Sequence, residues 1–280
     1  MNVKLLPSAH PRKREDSFDR PQKARKNKEM TEEQFGWPRR GEGAPVAVLA
    51  HRGGTGPWRE NTLEAFTGAL GAGADGVELD VRRSADGALV VHHDAEVPGS
   101  GAVGATPADA LPPWLPTLGD ALATCAGALV NVEIKNLPTE PGYDPFEQVA
   151  TDVAVVLAAG GPAWPAHVVV SSFWPGTLTA LRDTDRGRAA AGAVELGLLV
   201  HPSLDPLPML EVASGLGCAA LHPHHSQVTA SLVARAHDLA MAVVTWTVNL
   251  PGDLDAVVAA GVDGVITDRV ADTLGALGRA

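Results

Sequence analysis

Residues 77–91 read VELDVRRSADGALVV, and the way this stretch turns decides how the rest of the chain is counted. Two apolar runs, Val77–Val81 and Leu89–His92, are joined by a short polar piece that includes Asp86-Gly87. A crossover between parallel strands needs a dozen or more residues, whereas Asp-Gly is a hairpin turn signal. The stretch is therefore predicted to be a β-hairpin turning near Ser84–Gly87. Its first run joins seven others of the same kind: Val46–Ala50, Leu129–Ile134, Val168–Ser171, Val194–Val200, Ala219–His222, Ala242–Thr247 and Val262–Thr267. That leaves eight strands for a parallel sheet, with the return arm of the hairpin set apart.

Between most of these runs lie amphipathic stretches rich in Ala and Leu, such as Asn61–Ala72, Leu118–Ala126, Phe146–Ala159, Pro175–Arg182, Ser231–Leu239 and Asp253–Ala260. Strand and helix in alternation argue for a parallel sheet covered by helices. Asn61 with Glu64 three residues on reads as an N-cap and a relative of the capping box. The expected fold is α/β, a TIM-type (β/α)8 barrel with a short hairpin and insertion at its C-terminal mouth. At 280 residues the length suits such a barrel, which commonly takes about 250. An open doubly wound sheet fits the same pattern, but no Gly-x-Gly-x-x-Gly follows a strand to support a dinucleotide fold.

Charge divides the chain. Residues 1–40 hold 11 basic and 6 acidic side chains, a balance of +5, and the remainder holds 11 and 27, a balance of −16. The reading is a basic, disordered leader over residues 1–43 and a single domain over 44–280, with Met30 as an alternative start. An acidic body is repelled by nucleic acid and by anionic membranes, so neither nucleic-acid binding nor stable membrane insertion is expected. No run of 18 apolar residues occurs, and Val3–Pro7 is too short for a signal-peptide core. Cys125 and Cys218 are the only cysteines, too few for a disulfide framework. A cytoplasmic location is the expectation.

Polar residues gather where the runs end. His51-Arg52-Gly53-Gly54 follows the first, Glu78 and Asp80 lie in the second, and the hairpin returns into His92-His93-Asp94. Glu133 and Lys135 close the fourth run, and His222, Trp246, Asn249 and Asp268 close later ones. The C-terminal ends of barrel strands surround one mouth. Glu78 and Asp80, two apart, share a side of their strand, as do Glu133 and Lys135. Three carboxylates converging in a partly desolvated mouth must take up protons or bind a cation, and an all-oxygen set favours Mg²⁺ or Ca²⁺.

Alternation points only one of His92 and His93 inward. His93 is chosen because the hairpin sets it roughly opposite Glu78. The Gly pair after Arg52 reads as a close approach of backbone to an anion. A hard cation, two histidines as proton carriers and two fixed positive groups, Arg52 and Lys135, make a phosphodiester-cleaving site. The segment His222–Ser226, HPHHS, is read as a polar loop whose His222 lines the pocket. A second metal site there is disfavoured, because adjacent histidines point apart on an extended chain.

From about Val48 to Leu274 the chain resembles the glycerophosphodiester phosphodiesterase family of the phospholipase C-like superfamily. The stretches AHRGG, ENTLEAF, GADGVELDVRRSADGALVVHHD, NVEIK, VVVSSF, WTVN and GVDGVITDR carry the resemblance, in the family's order. It implies catalytic histidines at His51 and His93 and metal ligands at Glu78, Asp80 and Glu133. It also implies phosphate contacts from Arg52 and Lys135, and Trp246 as a pocket wall. The implied reaction is hydrolysis of a glycerophosphodiester to an alcohol and sn-glycerol 3-phosphate with Mg²⁺ or Ca²⁺. The chain departs from the family after His93-Asp94. AEVPGSGAVGATPADALPPWLPTL stands there, short and rich in Gly, Ala and Pro, in place of a longer cover over the mouth. A shorter cover leaves room for bulkier diesters. The rival readings are therefore a lysophospholipase D-like enzyme, with Pro112–Pro116 as its only apolar flap, and a catalytically silent phosphoester-binding barrel.

Overall fold

The computed structural model describes residues 44–54, 56–160, 165, 167–183 and 194–279. The expected leader and the alternative start at Met30 lie outside the described residues. In chain order the first elements are β1 (Ala47–His51), α1 (Leu63–Gly71), β2 (Gly76–Arg83), β3 (Leu89–Val91), β4 (Glu96–Val97), β5 (Gly101–Ala102) and α2 (Leu118–Thr124). Then come β6 (Leu129–Ile134), α3 (Gln148–Ala158), β7 (His167–Ser172), α4 (Pro175–Asp183), β8 (Val194–Val200) and α5 (Pro206–Leu216). The last are β9 (Ala220–Pro223), α6 (Ala230–Asp238), β10 (Ala242–Thr245), α7 (Pro251–Ala260), β11 (Gly264–Thr267) and α8 (Val270–Ala276).

The sheet runs β1-β11-β10-β9-β8-β7-β6-β2, all parallel, and β2 pairs back onto β1 to close an eight-stranded barrel. β3 hangs antiparallel on β2, with Val81 facing Val91 and Arg83 facing Leu89. This is the hairpin read from Asp86-Gly87, and it is what reconciles nine apolar runs with eight barrel strands.

Period-two alternation sorts each strand's side chains into two layers. Val48 and Ala50 of β1, Val77, Leu79 and Val81 of β2, and Val130, Val132 and Ile134 of β6 face outward into one large core shared with the helices. Ala47, Leu49, Val169, Ala220, Ala242, Val244 and Ile266 fill the barrel interior. Farther toward the C-terminal ends the same interior stripes switch from apolar to polar. Leu49 gives way to His51, and Ile266 to Asp268. Both faces of β2 are covered, so even Glu78 and Asp80 are buried.

Helix starts follow side-chain chemistry, with one correction. Thr62, not Asn61, caps α1, accepting from the Ala65 N–H. Asn61 has a left-handed backbone, φ +56°. Thr117, Asp205 and Thr229 cap α2, α5 and α6 in the usual way.

The segment after Asp94 is a compact lobe. The β4–β5 hairpin and the residues behind it bury Val97, Val103, Leu111 and Leu115 against Val90. Pro112–Pro116 is therefore not an apolar flap. Leu115 and Pro116 are buried, and the Arg59 guanidinium stacks on Trp114 at 3.9 Å. Among the described residues no helix is long and apolar enough to cross a membrane.

Candidate active site

The mouth encloses a cavity of about 510 Å³ with two unlike walls. His51, Arg52, Glu78, His93, Asn131, Glu133 and Lys135 form the polar wall, and Leu137, Phe173, Leu199, Leu204 and Trp246 form the apolar one. Residues from β1, β2, β6, β8 and β11 and from the loops beyond β3 and β10 meet here, which only closure of the barrel allows.

Glu78, Asp80 and Glu133 are buried, and each offers an oxygen within 4.8 Å of the others. Asp80 and Glu133 are register partners on adjacent strands. Burial, then the Asp80 charge, pushes the Glu78 carboxyl up to about 8. Glu133 is raised chiefly by burial. For Asp80 burial acts upward, but Lys135, His93, Arg52 and a hydrogen bond from Asn61 outweigh it and hold the group at about 2. Glu78 Oε1 is buried with no hydrogen-bond partner, while Oε2 accepts from the Arg52 N–H at 3.0 Å. This donor set fits a hard divalent cation: all oxygen, crowded, and one ligand atom left uncommitted by the protein.

The two cationic side chains are partly committed to the acids. Lys135 Nζ lies 2.5 Å from Glu133 and 3.1 Å from Asp80. Arg52 reaches Glu60 at 3.0 Å and Asp80 at 3.4 Å. Both also line the cavity.

Each cavity histidine has a carboxylate on its Nδ1. His51 Nδ1 is 2.7 Å from Asp268 Oδ1, and His93 Nδ1 is 2.7 Å from Asp94 Oδ1. Burial works to lower the His51 pKa, but the bond to Asp268 and the Glu78 charge prevail and raise it. Asp268 and Asp94 are held low in turn, against some burial, by the hydrogen bonds from their histidines. His92 points elsewhere, edge-on to Trp114.

Three expectations need correction. The hairpin register, continued past Val91, pairs Asp80 with His92, whose N–H donates to the Asp80 carbonyl at 2.9 Å. Glu78 is thus one position out of step with His93, which reaches the cavity from beyond the strand. The Gly pair serves packing and turning. A Cβ on Gly53 would lie 2.6 Å from Ala65 Cβ, so this residue lets α1 approach, and φ is +89° and +75° at the two positions. His222 is not on the cavity wall. It is fully buried beneath it against Gly197, and burial pulls its pKa down to about 3. Its carbonyl instead accepts from Trp246 Nε1 at 2.9 Å, steadying the indole that does line the cavity.

In the HPHHS segment, His224 caps a short 3-10 turn, His225–Gln227, and its ring lies 4.2 Å from that of His225. The turn defeats the extended-chain argument that the two rings must diverge. Among the described residues the only cluster of metal-type ligands is Glu78, Asp80 and Glu133.

The family model of the glycerophosphoryl diester phosphodiesterase family matches residues 51–104 and 95–272. The chain belongs to this family. It is accordingly an enzyme of the phosphodiesterase class. A glycerophosphodiester phosphodiesterase of Caldanaerobacter subterraneus subsp. tengcongensis is 30% identical over 243 residues, covering 79% of this chain and 93% of that one. A solved structure of a phosphodiesterase from Oleispira antarctica, in complex with the product sn-glycerol-3-phosphate, aligns with TM-score 0.71 and 25% identity over 84% of this chain and 97% of its own. A second solved structure, from Silicibacter pomeroyi, aligns with TM-score 0.70 and 26% identity over 86% of this chain and 94% of its own.

Proposed function

We propose that this enzyme hydrolyses glycerophosphodiesters to an alcohol and sn-glycerol 3-phosphate, with Mg²⁺ or Ca²⁺ held by Glu78, Asp80 and Glu133 and with His51 and His93 carrying protons. One observation carries the reading: two histidines, each anchored through Nδ1 by a carboxylate, line the same cavity as Glu78 and Glu133, with an Asp80 oxygen within 4.8 Å of both acids. With Nδ1 bonded to a carboxylate, the imidazole presents Nε2 for proton exchange.

One histidine takes the proton of the attacking oxygen, either water or a substrate hydroxyl whose cyclic phosphodiester is then opened by water, and the other gives a proton to the alkoxide as its bond to phosphorus breaks. The proton count is then restored, and a phosphomonoester and a free alcohol leave. Arg52 and Lys135 lie on the polar wall, where they offset the charge that builds on the phosphoryl oxygens. When bound, the cation supplies Lewis-acid polarisation of a phosphoryl oxygen. Phe173, Leu204 and Trp246 offer an organic group of the diester an apolar bed.

The apolar wall also favours a second reading, a lysophospholipase D-like preference for an acyl-bearing diester. Leu204 stands at the mouth with nearly half its surface exposed. A murine lysophospholipase D is 44% identical over 50 residues, 18% of this chain and 15% of its own.

The test is release of sn-glycerol 3-phosphate, or of lysophosphatidic acid, from a panel running from glycerophosphocholine to lysophosphatidylcholine, with and without EDTA. His51→Ala and His93→Ala are expected to abolish turnover while the fold persists. Full activity in EDTA would sink the metal assignment. Inertness toward every diester with Mg²⁺, Ca²⁺ and Mn²⁺ supplied would favour a silent binding barrel.

A further inference from the structure

Asn61 stands in the loop between β1 and α1, just before the Thr62 cap, and is 1% exposed. It has no part in starting the helix. Its amide reaches across to β2 instead. Nδ2 donates to Asp80 Oδ2 at 2.8 Å, and Oδ1 accepts from the backbone N–H of the same residue at 3.3 Å. Its own N–H donates to the Arg52 carbonyl at 2.8 Å. The residue thus ties the loop after β1 to a single acid on β2, gripping both side chain and backbone.

We propose that Asn61 is a positioning residue that fixes the carboxylate plane of Asp80 for cation binding, an inference that rests on the metal reading given under Proposed function. Two features of the residue fit this job. A left-handed φ of +56° is one that Asn adopts more readily than most side chains, so the loop can present the amide without a large backbone cost. The amide also offers a donor and an acceptor together, which no aliphatic or carboxylate side chain of its size does.

The partition of Asp80 oxygens follows from this. Asn61 takes Oδ2, and Lys135 Nζ stands 3.1 Å from Oδ1. With Arg52 Nε 3.4 Å from the same Oδ2, groups from different parts of the chain hold this one carboxylate on both oxygens, whereas Glu78 Oε1 is left without a hydrogen-bond partner. Without Asn61, Asp80 keeps its charge and its ion pairs with Lys135 and Arg52 but loses the directional hydrogen bond on Oδ2. Loss of such a supporting hydrogen bond costs a metal site about 10- to 100-fold in affinity.

The experiment is titration of the metal-stripped full chain with Mg²⁺ and with Ca²⁺ in a calorimeter, alongside thermal melts. Asn61→Gly is the informative variant, because Gly keeps the left-handed backbone at no cost and removes only the amide. The expected result is a melting temperature near that of the unsubstituted protein, with cation Kd raised about 10- to 100-fold. Asn61→Ala provides a second measurement should the Gly variant fold poorly, with the same rise in Kd expected. An unchanged Kd in either folded variant overturns the proposal and leaves Asn61 as a loop anchor alone. If the unsubstituted protein takes up neither cation, the metal reading itself fails and takes this inference with it.

Discussion

Asp268, just past β11, holds the Nδ1 of His51, at the end of β1, at 2.7 Å between the last barrel strand and the first, which pair directly. Asn249 braces this acid from the loop after β10, donating to Oδ2 at 2.7 Å and accepting from its backbone N–H at 2.9 Å. The bond to Asp268 is the strongest influence raising the His51 pKa against burial. Asp268→Asn is therefore expected to lower that pKa, moving the limb of the pH–rate profile that belongs to His51 toward acid. Turnover is expected to fall about 100-fold, the low end of what a positioned acid or base contributes. A profile unmoved along the pH axis would show that His51 is not the group being titrated.

The acid cluster is expected to make stability depend on pH. Burial and Asp80 raise Glu78 to about 8, above its ordinary value of about 4.3. A carboxyl raised on folding contributes stability that is complete below the unfolded pKa and is lost as pH rises through the folded one. In EDTA the melting temperature is expected to decline from about pH 4 to about pH 8. Saturating Mg²⁺ is expected to flatten that decline, since the cation replaces the proton. Glu78→Gln, which cannot ionise, should lessen the slope in EDTA. Parallel slopes for the two proteins would count against Glu78 as the group responsible.

Gly53 tests the packing beneath the site. Its φ is +89°, and an added Cβ would lie 2.6 Å from Ala65 Cβ and 2.9 Å from the Ala65 carbonyl carbon. Backbone strain of about 1–2 kcal/mol and overpacking of similar size are expected to cost Gly53→Ala about 3 kcal/mol in a denaturant titration. Gly54→Ala, with φ at +75°, carries similar backbone strain but meets nothing nearer than the tip of Val270 at 3.2 Å and is expected to cost less. Equal effects at the two positions would contradict this account.

The barrel was legible because its signals are local. Val77, Leu79 and Val81 alternate with Glu78 and Asp80 within one strand, and Asp86-Gly87 sits where the chain turns. Period and turn chemistry need no knowledge of the rest of the molecule. What stayed hidden depends on distance. Asp268 lies 217 residues from His51, and nothing near either residue announces the other. Asn61 carries a helix-cap signature that Thr62 satisfies better, and its amide serves a partner on another strand. Gly53 looks like a phosphate-loop glycine because the approach of Ala65 is set by helix packing. For His222 the strand end was read correctly but the depth was not, since whether such a residue faces the cavity or lies beneath it depends on how the barrel closes.

Trp246 separates binding from chemistry. Its ring meets Phe173 edge to face at 5.4 Å, and Nε1 donates to the His222 carbonyl at 2.9 Å, so the indole is fixed from two sides on the apolar wall. Its ring and hydrogen-bond partners are Phe173, His224 and the His222 carbonyl, not the three acids, His51 or His93, so its contacts with a diester are expected to be the same before and during reaction. Interactions of that kind act on KM and leave kcat alone. Trp246→Ala is expected to raise KM about 10-fold, equivalent to about 1.4 kcal/mol, with kcat changed little. Trp246→Phe keeps an aromatic face but loses the hydrogen bond, and is expected to fall between. Steady-state kinetics on glycerophosphocholine and on lysophosphatidylcholine would measure both constants. A collapse of kcat at unchanged KM would place Trp246 in the chemical step and refute its assignment to the substrate wall.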